Sequence, residues 1–226
     1  MFGLFKKSKR PIDRGEPIVI VSGLPRSGTS MAMKMLDAAG YEMVQDDKRK
    51  ADSDNPKGYY EDERVLRLNV TLDRSWLFEC RGKGLKVVSH QLKYLPGTHT
   101  YKILFMRRSL DEIVASQNKM LDNRDEQHRN TIDDESTKAE YQTHLDQVYA
   151  LIAGHDHFEM IEVQHRGMID DPHGEASKIK AFLGRDLDLD AMTAVVDKKL
   201  YRNRAKEPSL PSPSRADTDA AVDPWP

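Results

Sequence analysis

The sequence predicts an α/β protein in three layers, a central parallel sheet with helices on both faces. Three observations predict it. Residues 18–22 (IVIVS) are apolar and β-branched almost throughout, as a strand covered on both sides must be. Strand-like and helix-like segments then alternate along most of the chain, as a parallel sheet with crossover helices requires. A glycine-containing loop, GLPRSGTS at residues 23–30, joins the first strand to the first helix.

After that loop, Met31, Met35, Leu36 and Ala39 recur at helical spacing, and Gly40 supplies a stop. Residues 85–89 (LKVVS) and 101–106 (YKILFM) are the next two strands. Ser109 and Glu112 form a capping box, and Leu110, Ile113, Val114 and Leu121 give the helix it opens one apolar face. Residues 136–153 read as a helix, 158–163 as a strand, and 176–183 as a helix ended by Gly184. Residues 122–146 hold eight acids against three bases, which predicts a solvated excursion. There is no internal repeat.

The folded unit is expected to span residues 17–204. Before it, residues 1–16 form a basic extension with Lys6, Lys7, Lys9, Arg10 and Arg14 against Asp13. Phe2, Leu4 and Phe5 beside those lysines suit weak contact with an anionic membrane surface, and a frayed, solvated terminus is the plainer reading. After it, residues 205–226 hold five of the eleven prolines and no apolar periodicity, which predicts a disordered tail.

Composition narrows the function. Lys and Arg number 35 against 37 Asp and Glu, a net −2, so no global charge marks a nucleic-acid binder. Apolar runs such as residues 18–21 fall far short of the roughly 18 residues that span a bilayer. One cysteine, Cys80, allows no internal disulfide, and the short apolar start does not read as a secretory signal. A cytoplasmic location is expected.

The loop has the G-x-x-x-x-G-x-[ST] spacing of a phosphate-binding loop, between a strand and a helix as that motif requires, so the expected architecture is a three-layer P-loop fold. Gly23 and Gly28 let the backbone turn tightly, and the N–H groups of Ser27, Gly28, Thr29 and Ser30 face an anion at the helix N-terminus. Thr29 stands where nucleotide hydrolases carry the lysine that reaches the outer phosphates, and Arg26 supplies the charge instead. The strand at 101–106 runs into Arg107 and Arg108, and the one at 85–89 runs into His90. Neither ends in an acid suited to Mg²⁺, so the expected ligand is an anion carried with no metal.

Arg108 lies just before the helix cap, and Ser116 follows on the polar face that also carries Glu112. The arginine is expected to fold along the helix so that both meet one phosphate. His90 sits on the same rim of the sheet, where open parallel sheets bind ligands, and imidazole is suited to taking a proton near neutrality. Glu61, after Tyr59 and Tyr60, is the rival base, and the two tyrosines are candidate walls of an acceptor pocket. Of the other histidines, 128, 144, 155, 157 and 173 are expected to be solvated.

Taken together, these residues resemble the sulfotransferase family that uses 3′-phosphoadenosine 5′-phosphosulfate, over roughly residues 17–204. Residues 25–30 resemble its 5′-phosphosulfate loop in the form carrying arginine, and Arg108 with Ser116 resembles its 3′-phosphate pair. His90 and Pro96 match the placement of the catalytic histidine in cytosolic members. Glu61 matches the glutamate that protein-tyrosine sulfotransferases use. Asp170, Asp171 and Pro172, with residues 182–184, are similar to the family's C-terminal helix region. Residues 200–204, with Tyr201 and Arg202, are where the family closes over the nucleotide. The Arg-Lys-Gly clamp is absent as such, and His165, Arg166 and Gly167 are a faint counterpart. The resemblance implies a metal-independent transfer of a sulfuryl group to a hydroxyl or amine of an acceptor that the sequence does not identify. A metal-dependent nucleoside or small-molecule kinase and a non-catalytic nucleotide-binding module are the alternatives.

Overall fold

The computed structural model describes residues 13–46, 60–123 and 133–197. The expected tail at 205–226, Tyr201, Arg202, Tyr59, His128 and all but the last four residues of the basic extension lie outside the described residues.

Five strands, β1 (Ile18–Gly23), β2 (Met43–Val44), β3 (Gly84–Lys86), β4 (Tyr101–Arg107) and β5 (Phe158–Gln164), form one all-parallel sheet in the order β2-β3-β1-β4-β5. Strand β1 is central and buried along its length, with Ile20 opposite Leu85 on one side and Ile103 on the other. Its side chains alternate between two cores, as the twofold period of a strand demands. Ile18 and Ile20 join Leu85, Ile103 and Phe105 on one face, and Val19 and Val21 join Leu104, Met106 and Val163 on the other.

Among the described residues seven α-helices cover the sheet: α1 (Thr29–Ala38), α2 (Glu63–Leu66), α3 (Leu110–Asn123), α4 (Asp134–Ala153), α5 (His165–Asp170), α6 (Pro172–Leu183) and α7 (Leu189–Ala194). Helix α1 packs Ala32, Met33, Met35 and Leu36 beneath the Val19 face, beside Ile179 of α6 and Met192 of α7. Helix α4 lays Leu145, Val148 and Ile152 on the opposite face. Asp171 caps α6 by accepting from the Gly174 N–H (3.0 Å), and Gly184 ends it at φ 68°. No helix among the described residues is long and apolar enough to cross a membrane.

Four expectations are corrected. The strand foreseen at 85–89 ends at Lys86. Val87 still donates to the Val21 carbonyl (3.0 Å), and then Gln91 N–H closes on Val88 (2.9 Å), so His90 lies in a 3-10 turn, Ser89–Tyr94. The acidic stretch is no excursion over 134–146: Asp133 accepts from the Glu135 and Ser136 N–H groups and starts α4, whose acids line its outer face. Arg14 is tied to the fold, pairing with Asp156 (2.9 Å) and donating to the Gly97 carbonyl. His157 is buried 4.2 Å from the ring of Phe158, and half-buried His144 bonds to Ser89 Oγ at 2.8 Å.

Candidate functional site

The loop leaves β1 at the C-terminal edge of the sheet and enters α1. Ser27 N–H donates to the Leu24 carbonyl (3.2 Å), so this donor closes the turn and does not face an anion as the sequence reading had it. The donors left for a ligand are those at the head of α1, where a helix has no intrahelical partners to offer. Gly23 has φ 148°, and a Cβ there would stand 2.8 Å from the Met106 carbonyl. Gly28 has φ 102°, and a Cβ there would stand 2.5 Å from Cδ2 of His165. Both glycines are therefore required by the turn itself.

Arg26 is held at both ends. Its backbone is left-handed at φ 67°, a conformation costly for any side chain but glycine's. Its Nε donates to Ser116 Oγ on α3 (3.1 Å), and its carbonyl accepts from Arg108 (3.0 Å). Ser116 thus accepts from Arg26 while Arg108 braces the Arg26 carbonyl, so Arg108 and Ser116 are both tied to the same arginine. Arg108 Nε donates to Glu112 Oε2 at 2.9 Å within α3's first turn, and both side chains are buried. A buried pair of this kind holds its members in place, because stripping one partner leaves the other charge uncompensated.

A second group forms on the other side of the loop. Lys86, buried at the end of β3, donates to Ser30 Oγ (3.3 Å) and pairs with Glu61 Oε1 (3.2 Å). Glu61 is thereby brought to the head of α1. Tyr60 is tied down: its hydroxyl donates to Asp37 (2.8 Å), and burial with that carboxylate pushes its pKa up to about 12. His90 joins neither group. Among the described residues no hydrogen bond or ion pair links it to them, and its ring is exposed. Partial desolvation and Lys93 hold its pKa below the usual value.

Sequence reasoning missed Lys86 and Glu112 as a partner of Arg108, and it placed His165 only in a faint counterpart of the clamp, not against Gly28. A lysine inside an apolar buried strand is the signal that points to Lys86, since such a charge needs a partner. Two serine hydroxyls, those of Ser22 and Ser27, are buried with no hydrogen-bond partner among the described residues. No cluster of three or more His, Cys, Asp or Glu with metal-holding geometry occurs among the described residues.

His165 opens α5 against Gly28, in the field of Arg108 and Glu112. Burial first, then Arg108, pushes its pKa down to about 4. The unfolded chain, with an ordinary imidazole, takes up its proton first as pH falls. Stability is therefore full above about pH 6.5 and is lost as pH falls toward 4. Between about pH 7.5 and 5, where ordinary carboxylates stay ionised, this one residue removes about 2 kcal/mol. Chemical denaturation across that window is expected to show a clearly flatter pH dependence for His165→Asn than for the wild type. Parallel curves would rule the assignment out.

No family model and no curated protein matches the chain. Among solved structures it is similar to the sulfotransferase STF1 from Mycobacterium tuberculosis H37Rv. That likeness has a TM-score of 0.54 at 16% identity and covers 81% of this chain and 72% of that one. The sulfotransferase domain of the Synechococcus PCC 7002 olefin synthase matches with a TM-score of 0.46 at 16% identity, over 85% of this chain and 81% of its own. The sulfotransferase domain of the curacin biosynthetic pathway matches with 0.49 at 12% identity, over 88% and 94%. At these identities the likeness to the mycobacterial protein is one of fold: the chain has a bacterial-type sulfotransferase fold.

Proposed function

We propose that this protein is a sulfotransferase that moves a sulfuryl group from 3′-phosphoadenosine 5′-phosphosulfate to a hydroxyl or amine of its acceptor, with no metal. The observation that carries the reading is the joining of Arg26, Ser116 and Arg108 into one hydrogen-bonded unit at the mouth of the phosphate loop. The loop fits the donor on one further count: the Ser27 hydroxyl is an orphaned buried polar atom within it.

The donor, when bound, supplies the sulfuryl group and leaves as a bisphosphate. Arg26 and the N–H groups heading α1 bind the 5′ end and receive the charge that grows as the S–O bond to phosphate breaks. Arg108 and Ser116 hold the 3′-phosphate, with Glu112 fixing the guanidinium. Lys86 adds a third cation at Ser30. Glu61 takes the acceptor's proton as the new O–S bond forms, and His90 is the rival for that role. The cations Arg26, Arg108 and Lys86 outnumber the carboxylates of Glu61 and Glu112 by one, so the site favours an anion. The reading includes a cytoplasmic enzyme, for which a lone, buried Cys80 with its thiol pKa pushed up to about 11 is suited.

Calorimetric titration tests the donor. Adenosine 3′,5′-bisphosphate in EDTA is expected to bind tightly, and ATP with Mg²⁺ only weakly. Arg108→Ala alone would strand the Glu112 carboxylate, so it is made together with Glu112→Gln, and bisphosphate affinity is expected to fall about a hundredfold. Preference for magnesium ATP would replace this reading with a kinase.

A further inference from the structure

The large apolar side chains that stand exposed among the described residues, Leu66, Val70, Leu72, Phe78 and Tyr94, all fall between positions 66 and 94. Scattered singly, such residues need no explanation, but confined to one stretch they mark a surface with a partner. Leu72 is 97% exposed and Val70 71%, so the turn after α2 projects its apolar groups into solvent. Arg74 joins this turn to Tyr94, donating to the Leu68 and Thr71 carbonyls and, at 3.4 Å, to the Tyr94 carbonyl.

The charge on this face says what covers it. Leaving out buried Lys86, residues 63–94 carry six Lys and Arg against three Asp and Glu, in a chain whose net charge is −2. The cations lie over the exposed aromatics: Arg81 is 4.8 Å from the Phe78 ring centre and Lys93 is 5.2 Å from that of Tyr94. Arg64 covers the neighbouring Trp76 at 4.7 Å. Aliphatic tips, amphipathic rings and cations on long stems are the set that suits the boundary of an anionic bilayer, where the rings and leucine enter the interface and the cations meet headgroup phosphates. A protein partner of ordinary composition would not call for the surplus of positive charge.

We infer that the face built by residues 66–94 docks the protein on an anionic membrane surface. The inference stands whether or not the loop carries a sulfuryl donor. Because Glu61 precedes this stretch and exposed His90 lies within it, docking would turn that side of the site toward the bilayer.

Co-sedimentation of the full chain with vesicles tests it. Vesicles of phosphatidylcholine with roughly 30% phosphatidylglycerol are expected to carry the protein down, vesicles of phosphatidylcholine alone are not, and salt is expected to weaken the binding. The variant Val70→Glu/Leu72→Glu alters two side chains already in water, so its melting temperature should match the wild type. Its partition onto anionic vesicles is expected to drop roughly tenfold or more. Undiminished binding of this variant would place any membrane contact elsewhere, as on the basic N-terminal residues, and would overturn the proposal. Failure of the wild type to bind anionic vesicles would do the same. So would a wild-type dimer in sedimentation velocity that the two glutamates split, because a second copy would then be the occupant.

Discussion

Arg26→Ala is expected to lower turnover by about a hundredfold or more while the protein stays folded. The size follows from the role. A preorganised donor aimed at charge that develops in the transition state is worth roughly 2.7–4 kcal/mol of barrier. The preorganisation is visible in the fold itself, where Ser116 holds the guanidinium and Arg108 holds the carbonyl. Loss of fold is separated from loss of chemistry by the backbone: position 26 is left-handed, so glycine there removes the side chain and relieves the strain together. Arg26→Gly should therefore be at least as stable as Arg26→Ala and equally slow. Arg26→Lys should recover only part of the rate, because an ammonium cannot present the planar fork that reaches both a phosphate and Ser116. Turnover near wild type in Arg26→Ala would remove Arg26 from the mechanism.

The parts of this site legible in the sequence are those fixed by neighbours along the chain. A β-branched run, two glycines at loop spacing and a helix start are local patterns, and β1, the loop and α1 fall where those patterns put them. The remaining parts depend on contacts between distant residues. Lys86 looks like an anomaly in a strand until Glu61 is seen beside it. His165 carries no mark in its own segment, because what defines it is the absent side chain of Gly28. The helix read at 136–153 is α4, and the acids before its core stripe of Leu145, Val148 and Ile152 hid only that its first turns belong to it and not to a solvated excursion. His90 is displaced from the expected strand end for the opposite reason. The run LKVVS has the composition of a strand, but its last residues turn away, Ser89 bonds to His144, and the histidine after it goes to the surface.

That displacement decides which base to favour, and Glu61→Gln is the second substitution with a large expected effect. Glutamine keeps a hydrogen-bond acceptor for Lys86 and removes only the ability to take a proton. Turnover under saturating donor is expected to fall about a hundred- to ten-thousandfold, the usual worth of a positioned base, with bisphosphate affinity unchanged. His90→Ala, at an exposed position, is expected to leave turnover within a few fold. The physical ground is reach. A base must come within hydrogen-bonding distance of the acceptor proton, and Glu61 is anchored to the loop through Lys86 and Ser30, 3.2 and 3.3 Å apart along that chain. The Lys86 ammonium holds the carboxylate in place and also stands where negative charge gathers during transfer, so the pair serves both ends of the reaction. If His90→Ala is the variant that loses turnover while still binding the bisphosphate, the imidazole is the base and the Glu61–Lys86 pair only braces α1. If neither variant slows the reaction, both residues leave the mechanism, and the proton goes to a group outside these two.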